Sequence, residues 1–124
     1  MEGYFLVALG GMLGAVARYA LSGLVSNAVQ GKFPLGTLAV NLIGSFVIGF
    51  FQVLALEKFS WSPQWRVFFA TGFLGAFTTF STFSYETVEL VREGAYLFAA
   101  LNVGASFAGC LTAVFVGMIV AGFF

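Results

Sequence analysis

Polar side chains are few in this chain, and they fall at helical spacing. Thr37, Asn41 and Ser45 recur every four residues, which puts them on one face of a helix. Asn102, Ser106 and Cys110 repeat that spacing later, while Thr79, Thr82, Glu86, Glu89 and Glu93 follow a three–four alternation. A lone Ser or Thr in such a setting ordinarily bonds a carbonyl of its own helix. Asn41 is harder to place that way, because its amide brings two donors and an acceptor to one point. Polar groups in a membrane interior face a bundle centre or a water-filled cavity. Three stripes in so small a chain therefore point to a path for water or an ion.

The segment Gly72-Phe-Leu-Gly-Ala-Phe-Thr-Thr-Phe-Ser-Thr-Phe-Ser84 adds a second kind of chemistry. Its glycines, hydroxyls in close order and repeated phenylalanines predict a broken helix. Irregular backbone at membrane depth survives only where protein buries it or where it lines a cavity. Unwound carbonyls there suit a cation, and freed N–H groups at a half-helix start suit an anion. Phe80 and Phe83, three residues apart, would point to nearly the same side. An aromatic ring has a positive edge, so a ring met edge-on favours an anion. Taken singly, each ring reads as a packing residue; the combination with the glycines and hydroxyls argues otherwise.

The elements that must position these groups are legible in the charge distribution. The chain is 60% hydrophobic and 8% charged, with five basic and five acidic residues among 124. Charge is absent from Phe33–Leu56, Val67–Tyr85 and Gly94–Phe124, and Gly3–Gly31 contains only Arg18. A helix needs roughly 20 apolar residues to span the hydrocarbon core. The runs predict one all-α integral membrane domain over 1–124, with four transmembrane helices at about 4–25, 35–56, 65–93 and 96–121. Strands of a barrel would alternate weakly over about ten residues, and these runs do not. Pro34 suits a helix start, and Trp61 and Trp65 suit an aromatic belt at the membrane surface. No basic n-region precedes the first run, so the first helix is expected to be retained. The sixteen glycines predict close helix packing in a compact bundle completed by a partner chain.

Several function classes drop out. Without histidine there is no His-based metal site or acid–base catalyst. No P-loop occurs, no nucleophile–base pair can be assembled, and no nucleic-acid partner is expected. Cys110 has no partner within the chain and reads as a small packing residue.

With four crossings, Lys58 and Arg66 fall on one side and Lys32 and Arg92 on the other, with Arg18 nearer the latter. Orientation follows a clear Lys/Arg excess, and here there is almost none. The chain is therefore expected to insert both ways and to work as an antiparallel pair, with sites near the bilayer midplane.

These motifs closely resemble the Fluc family of bacterial fluoride channels, also called CrcB. The resemblance spans essentially the whole chain, through Gly-Gly-Met-Leu-Gly-Ala-Val-Ala-Arg18, Gly36-Thr-Leu-Ala-Val-Asn41-Leu-Ile-Gly44-Ser and the Gly-Phe-Leu-Gly…Thr-Thr-Phe-Ser-Thr-Phe-Ser run. It implies a dual-topology antiparallel homodimer in the bacterial cytoplasmic (inner) membrane, with two pores passing fluoride down its gradient. By the resemblance, Phe80 and Phe83 line the pore, Asn41 hydrogen-bonds the ion, and Ser81 and Thr82 form a hydroxyl track. The carbonyls of Gly75 and Thr78 would hold a structural sodium ion at the dimer centre. Arg18 would sit near the cytoplasm-facing vestibule, and Thr37, Glu86 and Ser106 follow by position and polarity. Asn102 stands where some relatives carry tyrosine.

Two rivals are set against this. A proton-coupled exporter of cationic compounds could share the four-helix dual-topology plan, but it needs a buried carboxylate, typically in the first helix, and the core of that helix here has none. A scaffold subunit would use the polar stripes for helix pairing alone and leaves the Gly/Thr/Ser cluster unexplained.

Overall fold

The computed structural model describes residues 1–124 throughout. Helices α1 (Glu2–Ala28), α2 (Leu35–Val53), α3 (Pro63–Arg66), α4 (Gly75–Phe77), α5 (Phe80–Arg92) and α6 (Tyr96–Ala121) follow in order, with no strand. Wider π-type turns prolong α2 through Leu54–Lys58 and join α3 to α4 through Val67–Leu74. Grouped as spans, Glu2–Ala28, Leu35–Lys58, Pro63–Arg92 and Tyr96–Ala121 are long and apolar enough to cross a membrane. The chain is an all-helical, multi-pass membrane protein. The first span runs from Glu2 to Ala28, beyond the expected 4–25 at both ends, with no proline inside it to break the helix. The third starts at Pro63, whose missing N–H is harmless in a first turn.

Only 21 of the 124 residues are buried, and Met12, Val16, Leu111 and Phe115 are among many exposed apolar side chains. Water would not tolerate that surface, whereas lipid or a second protein surface matches it. Inside, backbones rather than large side chains make the contacts. The seam between α2 and α6 closes on Gly49, which meets the Val114 carbonyl, and on Gly117, which meets the Phe46 carbonyl; a Cβ at either would strike backbone. Val53, Leu54 and Ala121 seal one end of that seam with Phe50 packed against them.

The third span lies against α1 along its π-type stretch, with Gly14 touching the Phe73 backbone. A ladder of rings runs down it from Phe51 of α2: Phe51 to Phe69 at 4.6 Å, Phe69 to Phe73 at 5.5 Å and Phe73 to Phe77 at 5.9 Å between centroids. The turn into α6 passes through Gly94 at φ 79°, which a residue without Cβ adopts freely. Beyond it, Asn102 is 2% exposed and donates to the Thr87 hydroxyl at 2.8 Å, tying α6 to α5.

Candidate functional site

Thr78 and Thr79 leave the helix for extended backbone, at φ −89°, ψ 156° and φ −151°, ψ 115°. Groups released at such a step must find new partners, because unpaired backbone polarity is costly away from water. Two upstream helices supply them. Asn41 of α2 accepts from the Thr79 N–H at 2.8 Å and donates to the Thr79 carbonyl at 3.2 Å, as a neighbouring peptide would. Arg18 of α1 donates through Nε to the Ala76 carbonyl at 3.0 Å. Gly44, three residues beyond Asn41, lets the step press on α2, since a Cβ there would strike Thr78 and the Phe77 ring.

The restart of the helix is equally determined. The Thr79 hydroxyl accepts from the Thr82 N–H at 3.2 Å, an N-cap bond, and donates to the Thr82 hydroxyl at 3.1 Å. Ser81 Oγ lies 3.3 Å from the same oxygen. In an unbroken helix the Thr79 N–H would close on Gly75 and the Thr82 N–H on Thr78. Both donors are taken elsewhere, by Asn41 and by the Thr79 hydroxyl, so the Gly75 and Thr78 carbonyls lose their helix partners.

A cavity of about 310 Å³ opens beside this step, bounded by α2, the third span and α6. Asn41, Gly75, Thr78, Phe80, Phe83 and Ser106 all line it. The Phe80 and Phe83 centroids are 5.3 Å apart; Phe83 is buried, whereas Phe80 is 68% exposed on the outer face of the chain. Phe107 of α6 stands edge-on to both, at 6.4 and 5.9 Å, and completes a group of three rings. Ser106 is 8% exposed and its hydroxyl has no partner.

The remaining sequence-predicted residues lie off this cavity. Ser81 and Thr82 belong to the cap just described, and Arg18 acts from behind the step. Thr37 is buried on α2 against the Glu86 carboxyl. Glu86 lines a second cavity of about 290 Å³, with Lys32, Tyr85, Glu89 and Glu93 around it. Sequence reasoning missed Phe107, whose only signal was its place beside Ser106, and the Ala76 carbonyl, which no side-chain pattern can reveal. It also missed that Thr87 passes the Asn102 bond on to the Phe83 carbonyl, at 2.8 Å.

The family described as CrcB-like protein, Camphor Resistance (CrcB), matches residues 5–118. The chain belongs to the CrcB family. Among its relatives, the fluoride-specific ion channel FluC of Pyrococcus abyssi is 51% identical over 116 residues, covering 94% of this chain and 93% of its own length. The proteins of the same name from Sulfurihydrogenibium sp. and Geobacter sp. are 44% and 47% identical, each over 98% of both chains. The match to the CrcB family takes in all four spans, and with them Arg18, Asn41 and the step at Thr78 and Thr79.

Proposed function

We propose that this chain is a fluoride-selective channel and not an enzyme, passing fluoride out of the cytoplasm down its electrochemical gradient. It works in the cytoplasmic membrane as an antiparallel homodimer with two pores, each chain inserting in either orientation. The interruption at Thr78 and Thr79 is, in this reading, the broken helix around which the pores are built. The observation that carries it is the cavity at the step, where an amide, hydroxyls and ring edges converge with no basic side chain in the lining. The curated relatives bear the name of fluoride channels over nearly the whole chain.

Fluoride is small and strongly hydrated, so its path must replace water with donors that still let it go. Asn41 has one amide hydrogen left after its bond to Thr79, and the unpartnered Ser106 hydroxyl faces the same space. The edges of Phe80, Phe83 and Phe107 supply weaker positive potential between these donors. Ser81 and Thr82 extend the hydroxyls past the ring group, and Thr37 and Glu86 mark the continuation toward the second cavity. Arg18 bonds backbone behind the step and holds it in shape. An arginine at the narrow point itself would bind fluoride too firmly.

A sodium ion is part of the proposal. Gly75 and Thr78 both line the cavity and their carbonyls are free of helix bonds, and such neutral oxygens suit a hard monovalent cation. Two carbonyls from each chain of the pair would hold it, and the ion would supply a fixed positive charge beside the pores. The exporter reading is disfavoured because α1 carries no acidic residue beyond Glu2 in its first turn.

The test is fluoride efflux from liposomes holding the purified protein, followed with a fluoride electrode beside a matched chloride assay. Fast fluoride release without chloride, abolished by Phe80→Ala, is the expected result. No fluoride release from well-reconstituted protein overturns the reading. Cysteine labelling at a terminus from both sides of the membrane tests dual topology, which fails if only one side reacts. Exchanging all sodium for a larger organic cation should remove flux; unchanged flux and assembly would dismiss the sodium site.

A further inference from the structure

The three rings at the cavity come from two elements, and their angles are unlike those elsewhere in the chain. Phe80 and Phe83, in the first turn of α5, are tilted 44° to one another, so they neither stack nor stand edge to face. Phe107 of α6 meets each of them nearly at right angles, at 76° and 81°. No other ring stands edge-on to two neighbours. In the ladder of the third span, Phe69–Phe73 and Phe73–Phe77 lie almost parallel, at 9° and 13°. Perpendicular rings are therefore not the rule where this chain packs phenylalanines. The register that delivers Phe107 is fixed from nearby, because the Asn102–Thr87 bond ties α6 to α5 about one turn from where Phe83 meets Phe107. Phe83 is buried, but Phe80 is largely exposed, and its only ring contacts are with Phe83 and Phe107.

We propose that Phe107 is a positioning residue for the ion path: it holds the Phe80 and Phe83 rings at the angle that decides which part of them an ion meets. This rests on the channel reading above. The last torsion of a phenylalanine side chain is broad and two-fold, so the tilt of its ring is left for neighbours to settle. In a perpendicular pair, the positive edge of one ring lies against the negative face of the other. Phe107 makes two such pairs at once and so settles both tilts from a separate helix. An aliphatic side chain at this position would fill the space but carry no such charge pattern. Phe80 and Phe83 could then turn their faces toward the cavity that all three rings border. A ring face is negative; it repels an anion and attracts a cation. Favouring an anion thus depends on α6 as well as on the two rings of α5.

The experiment measures fluoride efflux from liposomes reconstituted at limiting protein density, so that most carry one active unit or none. The fluoride electrode then reports two separate quantities, the rate of release and the fraction of liposomes that release. Phe107→Leu should slow release by about tenfold, the scale on which two edge-to-face contacts act, with the active fraction unchanged. Phe107→Tyr, which restores the ring, should recover most of the wild-type rate. Phe115→Leu, an exposed ring two turns further along α6 and away from the cavity, should leave both quantities as they are. Should Phe107→Leu not survive purification, Phe107→Ile carries the same expectation. A merely structural Phe107 would lower the active fraction and leave the rate alone, and that result overturns the proposal. So does a Phe107→Leu rate equal to wild type, or a Phe107→Tyr rate as slow as that of Phe107→Leu. A wild-type protein that passes no fluoride overturns the channel reading itself, whatever the variants do.

Discussion

Two regions of this molecule solve the same problem, packing helices in lipid, by opposite means. Along the α2–α6 seam, Gly49 and Gly117 let backbones come into contact. At the step in the third span the helix gives up its own bonds, and Asn41, Arg18 and the Thr79 hydroxyl replace them. The seam is sensitive to volume. The step is sensitive to which atoms donate and accept. The difference shows that a bundle of this size keeps its rigidity in one place and its chemistry in another.

Substitutions can break the comparison on either side. Asn41→Leu keeps volume but strands the Thr79 N–H and carbonyl, at a cost of roughly 1–3 kcal/mol for each group. Fluoride flux should fall by on the order of a hundredfold while the chain still inserts, as read by efflux and by size-exclusion in detergent. Normal flux would mean that the step does not depend on Asn41. On the seam, Gly117→Ala should cost about 1–3 kcal/mol through overpacking. It should lower the unfolding midpoint in detergent, while the surviving protein keeps its flux per molecule. A loss of flux without a loss of stability would erase the division between the two regions.

Smaller changes sharpen it. Arg18→Lys keeps the charge but not the planar guanidinium that donates to the Ala76 carbonyl. A severalfold drop in flux is expected, and an unchanged rate would assign Arg18 a purely electrostatic role. The smallest effect should come from Thr87→Val, which removes the relay from Asn102 to the Phe83 carbonyl. It should cost about 1 kcal/mol in stability, with Thr87→Ser restoring it. If Thr87→Ser and Thr87→Val behave alike, the hydroxyl is not what links α5 to α6.

The spans were legible in the sequence because charge is costly in lipid, so long charge-poor runs mark where the crossings lie although not where they end. The Gly72–Ser84 cluster likewise pointed to irregular backbone, and the backbone is extended at Thr78 and Thr79. What stayed hidden were partnerships between distant positions. That Asn41 spends two of its bonds on Thr79 depends on the height at which α2 meets the third span, which no pattern within either segment encodes. The bond from Arg18 reaches a carbonyl, and carbonyls carry no sequence signature. Asn102 was visible as polar but not as buried, because the stripe it belongs to gives direction around a helix and not depth. The π-type stretch Val67–Leu74 had no signal either, since its composition is that of any apolar helix.

The clasp between Asn41 and Thr79 also has a bearing on how the protein is made. Arg18 and Asn41 both precede the residues whose backbone they satisfy, so a ribosome releases the helpers before the dependent segment. The third span is the one crossing that cannot close its own ladder, and alone in lipid it would carry open N–H and carbonyl groups. By the time it emerges, α1 and α2 are already available to receive it. Moving those two helices behind it by circular permutation would send an unfinished crossing into the membrane first.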